Sequence, residues 1–209
     1  MSGIVLLLLV AVVVYRYGHG PYRVKFTVQL DQDDFERSFV VEMAPLELMP
    51  HSVHMFLDTV RLKLWQNTIF WHHDEIKHVV AGALISYKTG EPKYHHLRAL
   101  GWDGLLFAEH SEQYPHNKYT MGFSGKGPNI YVNLHDNQNS HGPGGPRLQQ
   151  HDMPDDADPC FATVVEGFDV IDALQKVMDG KETMNTNGGR EKIWDENEKT
   201  RIINVEMVQ

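Results

Sequence analysis

Strand-like segments follow one another in this chain, mostly without helices between them, and that order most constrains the fold. Parallel neighbours need crossover connections of a dozen or more residues, usually helical, whereas consecutive strands joined by turns pair antiparallel. Tyr22 to Leu30 reads YRVKFTVQL, with Val24, Phe26, Val28 and Leu30 on one face and Arg23, Lys25, Thr27 and Gln29 on the other. A period of two predicts a half-buried strand. Asp31 to Asp34 is a polar turn, and Ser38 to Met43 is the second arm of a hairpin. Thr68 to His72, His78 to Ile85, Leu105 to Ala108, Tyr119 to Phe123, Asn129 to Leu134 and Cys160 to Val165 also read as strands. So does Arg201 to Val208, with Ile203, Val205 and Met207 alternating against Asn204 and Glu206.

Only two helices stand out. Pro50 suits a first helical position, and Val53, Phe56, Leu57, Val60 and Leu64 form one apolar stripe behind it. Gly167 precedes the second, whose stripe is Phe168, Ile171, Leu174 and Met178. Ser124 to Pro128 is a glycine-rich turn, Asp136 to Pro159 a 24-residue loop, and Lys181 to Thr200 a polar loop. Eight or nine strands with two helices predict a mostly β protein: a closed eight-stranded antiparallel barrel capped by two α-helices.

A length of 209 residues fits one domain with a substantial core. The net charge is −9 and no Lys/Arg run occurs, so no nucleic-acid partner is expected. Cys160 is the single cysteine, which excludes an intramolecular disulfide and a CxxC site. Following Pro159 at a strand start, it reads as a buried thiol. Ile4 to Val14 is an unbroken apolar run of 11 residues. That is short for a full span of about 20 residues and within the 7–15 of a signal-peptide core. Residues 1–20 are therefore expected to be a signal peptide or short signal anchor, with a buried strand as the competing reading. Residues 21–209 form the folded domain, expected as a luminal or extracellular monomer of the secretory pathway that meets a membrane only through residues 3–15.

Several motifs occur in an order similar to that of the cyclophilin family of peptidyl-prolyl isomerases. Ala44-Pro45 through Pro50-His51-Ser52-Val53-His54-Met55-Phe56 resembles the family's strand, Ala-Pro pair and first helix. Thr68 to His72 sits where its Phe-His-Arg strand is expected, and His78-Val79-Val80-Ala81-Gly82 where Phe-Met-x-Gln-Gly is expected. Tyr119 to Phe123 resembles its Leu-Ser-Met-Ala strand, and Gly127-Pro128-Asn129-Ile130-Tyr131-Val132 its Gly-Pro-Asn segment. Phe161-Ala162-Thr163-Val164-Val165-Glu166-Gly167-Phe168-Asp169-Val170-Ile171 is the best match, to the family's strand-to-helix junction. The resemblance runs from Tyr22 to Val208, about nine-tenths of the chain.

That resemblance implies a groove for a proline-containing peptide or client protein. Prolyl isomerisation crosses a barrier of about 18–20 kcal/mol between forms that differ by only about 0.5–1 kcal/mol. A catalyst must therefore stabilise the twisted amide over the planar one. In the family an arginine donates to the prolyl nitrogen, a glutamine helps hold the carbonyl and an apolar pocket holds the ring. The resemblance places His72 at the arginine position. A histidine of ordinary pKa is only about a quarter charged at pH 7, and lacks the guanidinium fork. Phe70, His78, Val79, Ala81, Gly122, Asn129, Tyr131, Met153 and Asp158 fall at groove positions. Ala81 replaces the glutamine and Tyr131 keeps an aromatic wall. The resemblance thus implies an isomerase of weak or absent activity, with a catalytically inactive peptide- or protein-binding module as the alternative.

Two other chemistries find partial matches in the sequence. The 13 His residues include His72-His73-Asp74-Glu75 with His78, the His95-His96 pair, and His51 with His54. A metal needs three or four ligands at one point, and neighbours on a strand face opposite ways, so surface histidines and no metal or other cofactor are expected. Asp156-Ala157-Asp158 is similar to the DxD of luminal glycosyltransferases, but the chain lacks their strand-helix alternation.

Overall fold

The computed structural model describes residues 21–30, 35–71, 79–93, 95–99, 101, 104–105, 108–143, 157–179 and 200–208. The expected N-terminal segment, residues 1–20, and the stretch 181–199 lie outside them. The strands are β1 (Arg23–Gln29), β2 (Arg37–Met43), β3 (Thr68–Trp71), β4 (Val79–Ala83), β5 (Thr120–Phe123), β6 (Ile130–Asn133), β7 (Cys160–Glu166) and β8 (Thr200–Val208). The helices are α1 (Pro50–Arg61), α2 (His95–Ala99), α3 (Gln138–His141) and α4 (Phe168–Asp179). The strands close a barrel in the order β1-β2-β7-β5-β6-β4-β3-β8, with β8 returning to β1. Every pairing is antiparallel. The mostly β, closed-barrel expectation holds.

Aromatic rings fill the barrel. Phe26 on β1 stacks on Phe39 of β2 with ring centroids 4.7 Å apart. Phe70 lies 6.2 Å from both. Gly82, paired with Phe70 across β3 and β4, makes room for it: a Cβ there would lie 3.1 Å from Cε1 of Phe70 and 2.9 Å from Cγ1 of Ile130. The apolar face of α1 closes one end, with Phe56 5.5 Å from Phe161, which in turn lies 4.5 Å from Phe123. Such tilted pairs add about 0.5–1.5 kcal/mol beyond area burial.

Helix starts leave backbone N–H groups without intrahelical partners. For α1 a distant carboxylate supplies the acceptor. Glu109 accepts from the N–H of Ser52 at 2.8 Å and of His51 at 3.2 Å. The α4 start depends on Gly167, whose φ of +75° is a conformation L side chains rarely adopt. A Cβ there would lie 2.5 Å from the Ser38 carbonyl oxygen and 2.7 Å from Cα of Phe39.

Several expectations are corrected. In β8 the buried residues are Thr200, Ile202 and Val205, while Met207 is exposed. A bulge explains this: Thr27 pairs with Asn204 but Val28 pairs with Ile202, so Ile203 is skipped and the alternation shifts. Leu105 and Ala108 have irregular backbone rather than the expected strand. The Pro50 helix ends at Arg61, three residues short of Leu64, where Lys63 turns to a φ of 55°. Phe168 of the second stripe is exposed, edge-on to Tyr119 at 4.9 Å, while Val170, Ile171 and Leu174 are buried. The loop predicted over Asp136 to Pro159 contains α3, and α2 had no counterpart in the sequence reading.

Gly167→Ala is expected to lower the unfolding free energy by about 2 kcal/mol or more, from backbone strain plus the Phe39 contact. The urea midpoint measures it, and an unchanged midpoint contradicts this reading of the junction.

Candidate functional site

The alternation that sends Ile130 and Val132 of β6 into the core turns Tyr131 and Asn133 outward. Across the outer face one row runs through four strands. Ala81 of β4 pairs with Tyr131 of β6, Tyr131 with Gly122 of β5, and Gly122 with Cys160 of β7. Small residues flank the tyrosine on both sides. A Cβ on Gly122 would come within 3.3 Å of Cζ of Tyr131 and 2.5 Å of the Pro159 carbonyl oxygen. The row is thus shaped so that the Tyr131 ring lies down on it.

Polar side chains from two loops cover that ring. Asp158, just before β7, accepts a hydrogen bond from the Tyr131 hydroxyl through Oδ2 at 3.2 Å. The same oxygen is 2.8 Å from Nδ1 of His141 on α3, and Oδ1 accepts from the Gly125 N–H at 3.0 Å. An ionised carboxylate only accepts, so Nδ1 of His141 is the donor in that pair. The rings of Tyr131 and His141 lie 5.0 Å apart. His116 lies beside both, 6.3 Å from Tyr131 and 5.9 Å from His141. Asn137 ties the two loops together. Its N–H donates to the His116 carbonyl at 2.7 Å and its Nδ2 to Oδ1 of Asn133 at 2.7 Å. The result leaves Tyr131 only 3% exposed, and Asp158 and His141 5% each.

Burial governs the electrostatics here. Neither ring nitrogen of His116 has a hydrogen-bond partner among the described residues. Its pKa falls from 6.5 to about 4, first through desolvation and then through His141, with His110 adding to the fall and both the charge and the backbone of Asp158 opposing it. Tyr131 is held well above its ordinary value, mainly by burial and then by the Asp158 charge, so its hydroxyl stays a donor. Burial pushes the Cys160 thiol up to about 12, so it is not a nucleophile at neutral pH.

The sequence-predicted residues divide into four groups. Ala81, Gly122, Tyr131 and Asp158 come together on this face, and Val79 lies two residues along β4, opposite Asn133. Phe70 belongs to the barrel core, not to the outer row. Asn129, at the lower end of β6, serves the turn: its Oδ1 accepts from the Leu84 N–H at 3.2 Å. His72, His78 and Met153 lie outside the described residues. Among the described residues no group of three or more His, Cys, Asp or Glu side chains could hold a metal ion. Sequence reasoning missed His116 and His141. Asp136, whose Oδ1 accepts from the Gln138 N–H at 3.2 Å, is the local turn signal that could have located α3 and with it His141. Nothing periodic marks His116.

Replacing Asp158 by Ala strands three donors at once. An expected loss of about 2–4 kcal/mol in unfolding free energy follows, read by chemical denaturation at neutral pH. A loss below about 0.5 kcal/mol, the range of surface changes, contradicts the cluster.

No protein-family model matches this chain. No curated protein matches it significantly. Among solved structures, the crystal structure of the Mimivirus cyclophilin superposes with a TM-score of 0.50 at 13% sequence identity, covering 90% of each chain. Identity that low speaks to the fold alone, and it shows that this chain has a cyclophilin-like fold.

Proposed function

We propose that this chain is a cyclophilin-like protein-binding module whose prolyl-isomerase chemistry is weak or absent. The carrying observation is the state of Tyr131. It stands at the aromatic-wall position, yet its hydroxyl is bonded to Asp158 and its ring is covered by His141. A prolyl ring seeking that wall meets the protein's own imidazole instead. Binding there requires breaking a buried hydrogen-bond network, which uses up binding free energy that catalysis would spend on the twisted amide.

The donors are short as well. Ala81, at the glutamine position, has no polar side chain, and His72 stands where an arginine would act. One feature favours the second reading, a working isomerase. Gly122 and Tyr131 keep a small floor beside an aromatic wall. The partner class is a protein, either a client chain or a proline-containing peptide, held weakly while the row is covered. The apolar run at residues 4–14 belongs to the same proposal and directs the domain to the secretory pathway, where that client would reside. Among the described residues no helix is long and apolar enough to cross a membrane.

The test is NMR exchange spectroscopy on an Ala-Pro peptide with the full-length chain. Expected are cis-trans exchange rates equal to those of peptide alone, for the wild type and for His72→Arg, with peptide lines broadening only at excess protein. Accelerated exchange at catalytic protein concentration establishes the isomerase reading instead. Unchanged lines at excess protein remove the peptide-binding part.

A further inference from the structure

His116 is an unusual residue to cover a face of this kind. It is fully buried, and both its ring nitrogens lack partners, whereas Asp158 and Tyr131 beside it are hydrogen-bonded. A neutral imidazole can be stored this way at a modest price, but an imidazolium cannot. We propose that His116 makes the covering an acid-released strap: on protonation, Pro115 to Lys118 and the α3 turn lift from the outer row and bare Tyr131 while the barrel stays folded.

The groups that face His116 set the direction. His141 comes from α3 and Tyr131 from β6. Asp158 lies before β7, and His110 acts from the strap's own loop. Glu112 acts on His110, and Cys160 on Tyr131. Asp158 is the acidic group next to His116, and its Oδ2 is already shared between the Tyr131 hydroxyl and His141. A new charge on His116 therefore meets a carboxylate with two partners and a second imidazole.

The strap can move as a unit. The Asn137 N–H bonds to the His116 carbonyl and the Gln138 side-chain amide to Oδ1 of Asn117 at 2.8 Å, which ties the two segments to each other, whereas the Asp158 N–H, bonded to the His141 carbonyl at 3.0 Å, joins them to the start of β7 and is the bond that lifting breaks. The core cluster beneath consists of apolar side chains, and among the described residues the buried carboxylates outside the covering are Asp58 on α1 and Glu109 at its start. Met43 and Ala44 report whether acid reaches the barrel through these as well.

The sign follows from the closed state binding the proton poorly. The closed state is fully favoured above the ordinary histidine pKa of 6.5, and that preference is lost as pH falls from there toward about 4. Between pH 7 and pH 5 the opening equilibrium is expected to rise roughly twentyfold.

Hydrogen exchange on the full-length chain, corrected for the intrinsic pH dependence of amide exchange, reads this opening. Among the backbone amides, that of Asp158, bonded across to the strap, should lose protection about twentyfold between pH 7 and pH 5. Those of Met43 and Ala44, bonded to Tyr22 and Phe161 in the barrel, should not change. His116→Phe keeps a stacking ring without a titrating group and should abolish the change. Protection that is independent of pH overturns the proposal, and so does its loss at Met43 and Ala44 together with the strap. If His116→Phe does not fold, the wild-type His116 ring resonance decides. Titration near pH 6.5 without any change in Asp158 protection overturns the strap. The inference rests on the reading of the face as closed at neutral pH, but exchange of these amides reports the strap whether or not a peptide binds. Its failure is therefore distinct from failure of the binding reading.

Discussion

Closure of the barrel through β8, which pairs with β1 on one side and β3 on the other, removes every free sheet edge and leaves each strand with one inward and one outward face. On β6 that constraint is tight. Ile130 and Val132 must fill the core between Phe123, Phe70 and their neighbours, so Tyr131 has no choice but to face out. A large aromatic ring on an outer face is a liability unless something covers it. Here Gly122 and Ala81 lower the floor on either side, and α3 with the His116 loop supplies the cover.

The cover is polar, and polar cover has consequences. Tyr131, Asp158 and His141 satisfy one another, so burying them costs little; His116 is left out of that network and is buried neutral. Low dielectric strengthens satisfied hydrogen bonds and penalises unsatisfied charge in the same place. A single face thus combines a locked carboxylate with a residue whose charged form the site rejects. The protein's own side chains fill the space beside the Tyr131 ring.

Much of the fold was legible because period-two alternation survives in β1, and because Pro50 and Gly167 mark the starts of the two long helices. Alternation shows which residues share a face, but not which face points inward. The resemblance places Phe70 at a groove position, although Gly82 opens a core position for it. Nor does alternation survive a bulge: the shared face expected of Ile203, Val205 and Met207 is broken at Ile203, and Ile202 is buried instead. The site was half legible. The motifs that resemble the cyclophilin family located Ala81, Gly122, Tyr131 and Asp158, all near strands. His116 and His141 come from loops, where position depends on contacts between distant segments such as Asn137 with His116, and no local pattern encodes those.

The central claim is that the protein's own side chains occupy the ground on which a proline ring would rest. A crystal structure grown at neutral pH in the presence of excess Ala-Pro peptide tests it most directly. The account predicts the Asp158 carboxylate within hydrogen-bond reach of both the Tyr131 hydroxyl and Nδ1 of His141, with no peptide on the Ala81–Tyr131–Gly122 row. A prolyl ring seated against Tyr131, with Asp158 and His141 turned aside, would contradict it.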